Sequence, residues 1–238
     1  RFTYYAGEQV SIETFVCNDT NSSAPEGCRL VYELYKEGQM CMHGEVPATY
    51  APCTTTYVAN IEFDAPETLD RSDCIIKAFL IAADGTTMAD QTFNFTVFAD
   101  VEMPQDTETV FITDLENGTH EIAGETVEVS TLPCHGMTYF LSRKTGHPAV
   151  KEFGPKDFRM WYDKKLDRLA PIATQCFAAE GFRPVLIGNG SFNPKTVVGE
   201  KWYEGKRYVI CLADLREENP VAKRLRRNLM ILDEENRN

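Results

Sequence analysis

The sequence predicts two domains: an all-β sandwich over residues 1–101, followed by an α/β domain over residues 107–238. Three observations carry that reading. Apolar and polar residues alternate through the first hundred positions, the period of half-buried strands. Beyond Met103-Pro104-Gln105-Asp106-Thr107, which reads as a linker, uniformly apolar runs and helical stripes take over. Charge divides the same way: residues 1–100 hold 5 Lys/Arg against 15 Asp/Glu (net −10), whereas residues 101–238 hold 19 against 21 (net −2). A chain of 238 residues has room for two domains of ordinary size.

Each strand of the first domain has its own pattern. Val10, Ile12 and Val16 share one face, with Ser11 and Glu13 opposite. Leu30, Tyr32 and Leu34 alternate with Val31, Glu33 and Tyr35, and Lys36-Glu37-Gly38 closes that run. Tyr57, Ala59, Ile61 and Phe63 form a third strand; Ile75, Lys77, Phe79 and Ile81 a fourth; Phe93, Phe95 and Val97 a fifth. Asp84-Gly85 is a hairpin signal, because both central residues of a type I′ turn need positive φ. About seven such strands in roughly a hundred residues suggest an immunoglobulin-like sandwich.

In the second domain, Thr109–Thr113, Thr126–Val129 and Met137–Leu141 read as short strands, with Gly118 and Gly124 as punctuation. Asp157 is placed to cap a helix carrying Phe158, Trp161 and Tyr162, extended by Leu166 and Leu169 and broken at Ala170-Pro171. Pro184–Gly188 and Arg207–Leu212 are apolar on both faces, as buried parallel strands are. A last helix starts at Asn219 as N-cap with Pro220 in its first turn, and stripes Val221, Leu225, Leu229 and Leu232 along one side. Strands alternating with helices indicate an α/β sheet.

Composition excludes several classes. A net charge of −12 repels phosphate backbones, so no nucleic-acid partner is expected. The basic run Lys223-Arg224-Leu225-Arg226-Arg227 reads as a solvated helix face. No stretch is long and apolar enough to span a membrane. Arg1-Phe2-Thr3-Tyr4-Tyr5 has neither an initiator Met nor a signal-peptide core, so the chain reads as an excised or processed product, cytoplasmic rather than secreted. Eight Cys at 17, 28, 41, 53, 74, 134, 176 and 211 show no metal-ligand spacing, and no metal or cofactor is expected. Cys176 and Cys211 read as small core hydrophobes in a reducing compartment. Sequons at Asn18, Asn21, Asn94, Asn117 and Asn189 matter only in a eukaryotic secretory setting.

No residue set presents itself as catalytic. Cys134-His135 is a tempting thiol and imidazole, but adjacent side chains diverge and Pro133 and Gly136 make the segment a turn. Asp157 and Asp163, six residues apart, fall on different faces of a helix instead of flanking a glycosidic bond. The ligand-binding candidates are His147, Trp161, Tyr162 and Asn189. For each a plainer role stands beside the functional one. His147 is placed for a turn hydrogen bond, Trp161 and Tyr162 for core packing as well as sugar stacking, and Asn189 for a polar loop after a strand.

Ala6-Gly7-Glu8, Cys17-Asn18-Asp19-Thr20 and Asn60–Pro66 resemble the Ig-like domain that follows the barrel of family 2 glycoside hydrolases. Thr145-Gly-His-Pro-Ala-Val150, Asp157-Phe-Arg-Met-Trp-Tyr-Asp163, Phe182–Ile187 and Asn219–Ala222 are similar to the C-terminal amidotransferase-like domain of β-galactosidase-type members. The resemblance implies a flavodoxin-like, class I glutamine-amidotransferase-like (ThuA-like) α/β fold that lacks the nucleophilic Cys elbow. It also implies a non-catalytic accessory region whose partner is the catalytic barrel of the parent chain, a barrel of ~250 residues for which this chain has no room. Carbohydrate is a candidate ligand and a homo-oligomer a further option. The alternatives are a carbohydrate-binding module and a self-standing enzyme using Cys134.

Overall fold

The computed structural model of the chain describes residues 1–105, 108–133, 138–188 and 193–231. Two compact units divide at Asp100 and Val101, with Arg1 counted to the second.

The first unit contains seven strands: β1 (Thr3–Tyr5), β2 (Gln9–Asn18), β3 (Arg29–Lys36), β4 (Gln39–Pro47), β5 (Thr54–Asp64), β6 (Arg71–Ile81) and β7 (Thr87–Phe98). They form a five-stranded sheet in the order β1-β7-β6-β3-β4 and a separate antiparallel pair, β2-β5. Val10, Ile61 and Phe63 of the pair share one core with Tyr4, Leu34, Cys74, Ile76, Phe95 and Val97 of the larger sheet. This shared apolar layer makes the unit a sandwich. The tightest hairpin lies at Glu37-Gly38, where φ is +49° and +82°; two left-handed residues join β3 directly to β4. Asp84-Gly85 also turns a hairpin, but within a five-residue connection between β6 and β7 in which Gly85 has φ +88°. There Asp84 Oδ1 accepts the Thr86 N–H at 2.9 Å, a side-chain turn instead of the type I′ geometry expected.

The second unit is also β-rich, and here the expectation needs correcting. Its sheet strands are β8 (Thr109–Ile112), β9 (Gly118–Ile122), β10 (Glu125–Thr131), β13 (Gln175–Ala178), β14 (Arg183–Gly188), β15 (Lys195–Tyr203) and β16 (Lys206–Cys211). A small hairpin, β11 (Tyr162–Asp163) and β12 (Arg168–Leu169), stands apart from them. The main sheet runs β8-β16-β15-β13-β10-β9, with β14 also paired to β15. Among the described residues only β16 and β8 pair in parallel within it; β14 and β16 both run antiparallel to β15. The described residues therefore do not form the doubly wound α/β sheet expected from the sequence. The apolar runs at 184–188 and 207–212 do mark buried strands, with Val185, Leu186, Val209 and Ile210 fully inaccessible. Burial on both faces mimicked the signature of a parallel sheet.

One α-helix closes the unit, α1 (Pro220–Met230). Asn219 caps it as expected, its Oδ1 accepting the N–H groups of Val221 at 3.0 Å and Ala222 at 3.2 Å. Val221, Leu225 and Leu229 are fully buried, whereas Leu232 lies outside the described residues. The basic run is not a uniformly solvated face, because Arg224 is 5% exposed and pairs with Glu152 at 3.1 Å.

The helix expected from Asp157 does not form. Met160 has φ +49°, which no α-helix accommodates, and the chain turns there into β11. Leu166 and Leu169, which extended the apolar stripe, are exposed. Tertiary contacts of the aromatic residues override the 3.6-residue spacing.

Candidate functional site

The segment 145–150 is a structural knot. Thr145 Oγ1 donates to the Val185 carbonyl of β14 at 2.8 Å, and Gly146 supplies a left-handed φ of +71°. Pro148 then opens a single 3-10 turn, Pro148–Val150. His147, 1% exposed, points inward. The Ala149 N–H donates to its Nδ1 at 3.2 Å, so the ring proton sits on Nε2 and is donated to Glu200 Oε1 at 2.5 Å. Both ring nitrogens are therefore engaged within the protein.

Glu200, on β15, also receives Arg207 of β16: Nε reaches its Oε2 at 2.7 Å and Nη2 at 2.5 Å. The remaining terminal nitrogen, Arg207 Nη1, donates to the carbonyls of Leu229 at 2.8 Å and Ile231 at 3.0 Å, satisfying orphan acceptors at the end of α1. One buried carboxylate thus ties a turn, two strands and a helix terminus together. Burial alone would raise the Glu200 carboxyl; the His147 hydrogen bond and the Arg207 charge outweigh it and hold the group below its ordinary value of 4.5.

The aromatic segment is likewise turned inward. Asp157 Oδ2 accepts the Gly154 N–H at 2.6 Å, and Trp161 Nε1 donates to the Asp157 carbonyl at 2.8 Å. Phe153, Phe158 and Trp161 are all buried, with centroid separations of 5.1 Å (Phe153–Phe158) and 6.4 Å (Phe158–Trp161). Trp161, at 3% exposure, offers no face to a sugar. Tyr162 is half-buried on β11, its hydroxyl donating to Asp167 across the hairpin turn. Asp163 accepts the N–H groups of Lys165 at 2.9 Å and Leu166 at 3.0 Å and pairs with Arg216 at 2.6 Å. Burial opposes its charge, but these donors prevail and its carboxyl stays below the usual range. Asn189, like Cys134 and His135, lies outside the described residues.

A cleft of about 470 Å³ opens elsewhere in this unit, a feature the sequence reading missed. It sits at the carboxyl ends of β8 and β16, the parallel pair. Phe111, Pro171 and Leu212 contribute apolar surface; Asp114, Asp214, Arg216 and Arg226 contribute charge. Arg216 is held by Asp163 and Asp214. Asp114 is exposed, with the Thr113 hydroxyl 3.5 Å away, while the buried Nε of Arg226 has no hydrogen-bond partner among the described residues. No local motif marks this site, because its walls come from residues 111–114, 171–174, 212–216 and 226. The carboxyl end of a parallel strand pair is the one general cue that leads to it.

The seven described cysteines are free. Cys176 and Cys211 are buried, as small core hydrophobes are, and burial pushes the Cys211 thiol up to about 12. Among the described residues no three His, Cys, Asp or Glu side chains gather as a metal site, and no helix is long and apolar enough to cross a membrane. No protein-family model and no curated protein matches the chain.

Proposed function

We propose that this chain is the C-terminal accessory region of a family 2 glycoside hydrolase of β-galactosidase type, packing on or shaping the catalytic barrel of the parent protein. One observation supports the reading above the others: the residues that carry the resemblance are consumed by folding. Thr145, Gly146, His147 and Pro148 build the knot around Glu200, and Asp157, Phe158 and Trp161 build the aromatic core beside it. A general base needs a free ring nitrogen, and His147 has none. The carboxyls of Glu125, Asp163 and Glu200 are each shifted toward the charged form, opposite to the raised carboxylic acid that glycoside cleavage uses.

The first unit is read as the Ig-like module of such enzymes. For the second, the reading rests on the segments 145–150, 157–163, 182–187 and 219–222, not on a doubly wound sheet. The coding sequence upstream of Arg1 is the test. A (β/α)₈ barrel with a glutamate at the ends of two different strands is expected there, and the isolated chain should not turn over aryl β-galactosides or β-glucuronides. An unrelated upstream domain, or turnover by the chain alone, overturns the assignment.

A further inference from the structure

We propose that the outward face of the β2–β5 pair binds a neutral pyranose, stacked on the rings of Phe15 and Tyr57. These residues lie directly opposite each other in the pair, and each is 52% exposed. Their ring centroids are 5.6 Å apart, with the planes at 67°. Neither ring belongs to the core that β2 and β5 share with the larger sheet, so packing does not explain two aromatic residues here. The next outward pair along the strands is Glu13 and Asn60, two residues away on β2, or about 7 Å. A bulge adds Val58 to β5 between the two pairs. Across that bulge Tyr57 Oη donates to Asn60 Oδ1 at 3.0 Å. The bond occupies the amide oxygen and leaves the Nδ2 group as a donor, while the exposed Glu13 carboxylate is an acceptor.

An apolar step with a donor and an acceptor at its side defines the occupant. An aromatic side chain presents about 150–250 Å², so the half-exposed pair offers roughly 200 Å². A stable protein interface takes about 800 Å² from each partner. Ser11, Glu13, Thr55, Asn60 and Glu62 are exposed around the rings, and a protein partner would have to strip their water. A sugar ring fits both the area and the rim. Its C–H face covers an aromatic ring, one hydroxyl donates to the Glu13 carboxylate and another accepts from Asn60. Charge narrows the class further. Residues 1–100 carry a net −10 and this face shows Glu13 and Glu62, which repels nucleotides and other anions. A cation would meet the Asn60 amide protons with like polarity and leave that donor unused.

The inference does not depend on a barrel upstream. It is tested on the full 238-residue chain by amide NMR titration with cellobiose and methyl β-D-galactoside, with glucuronate and choline as charged controls. Saturable shifts with at least one of the two sugars are expected at Glu13, Phe15, Tyr57 and Asn60. Phe15→Ala and Tyr57→Ala should each weaken binding about ten-fold, and Asn60→Ala about three-fold. All three side chains are exposed, so the amides of Leu34 and Ile76 on the opposite sheet should keep their positions and verify the fold. Any of four results overturns the proposal. These are no saturable sugar shifts at this face, equal affinity in the Phe15→Ala and Tyr57→Ala proteins, or tighter binding of a charged control than of either sugar. The fourth is movement of the same amides when the chain is concentrated without sugar, which would place a second copy on the face. A missing barrel upstream would defeat the accessory-region reading while leaving this titration untouched.

Discussion

Two polar clusters occupy the second unit, and they are built on opposite principles. Around His147 three ionisable side chains are all at most 5% exposed and bonded in series: His147 to Glu200, Arg207 to Glu200, and Arg207 to the end of α1. In the cleft at the carboxyl ends of β8 and β16 the Asp114 carboxylate stands exposed, with the Thr113 hydroxyl 3.5 Å away. The first cluster lies on the most conspicuous motif in the sequence, yet nothing in it faces solvent. The second has no motif at all. A dense run of functional residue types therefore reports on chemistry only when some of its bonding capacity points outward; where every group is paired, it reports on folding.

The largest effect that can break this comparison comes from the carboxylate at the knot. Glu200→Ala leaves the buried Arg207 guanidinium without its counter-charge and the His147 Nε2–H without its acceptor, and should cost about 3–5 kcal/mol, read as a large fall in the urea midpoint of the second unit. Replacing the N-cap is a milder blow. Asn219→Ala removes the acceptor for two N–H groups and should cost about 1 kcal/mol, against a few tenths for Asn219→Gly.

Acid should act on the knot in a defined direction. Because the folded Glu200 carboxyl lies below its ordinary 4.5, its contribution is complete above that pH. The contribution is lost progressively as pH falls through the lowered folded value. Stability measured from pH 6 downward should therefore decline below about 4.5, and less steeply in Glu200→Gln, which carries no titrating group there. The smallest effect is expected at the cleft. Asp114→Ala touches one weak hydroxyl contact and should leave stability within about 0.5 kcal/mol of the parent chain.

How much of this was legible depended on whether the signal was local. Strands β2, β3, β5, β6 and β7 are readable from alternation because one face of each meets the sandwich core. Strand β4 escaped notice, since Gln39, Met40 and Cys41 are exposed and an edge strand need not alternate. The tightest hairpins carry a recurrent mark that went unused: Glu37-Gly38, Ala123-Gly124 and Glu204-Gly205 each place two left-handed residues between paired strands. Read as turns, the last two give β9 and β15 their ends. Strand β15 was hidden by Gly199-Glu200-Lys201, polar residues that alternation assigns to a loop, although Glu200 is buried by its partners 53 positions before it and 7 after. The 157–169 stripe misled for the converse reason. Phe158 and Trp161 are buried as a helix would bury them, but by an irregular segment whose left-handed Met160 no periodicity reveals. The cleft was illegible because its wall residues are scattered over more than a hundred positions.

If the 145–150 motif serves folding, thermal unfolding of Glu200→Ala beside Asp114→Ala should separate the two variants. A loss of about 3–5 kcal/mol predicts a melting temperature roughly 10–17 °C lower for the knot variant, with the cleft variant unchanged. Equal melting of Glu200→Ala and the parent chain would contradict the claim and return the His147–Glu200 pair to the list of working chemical groups.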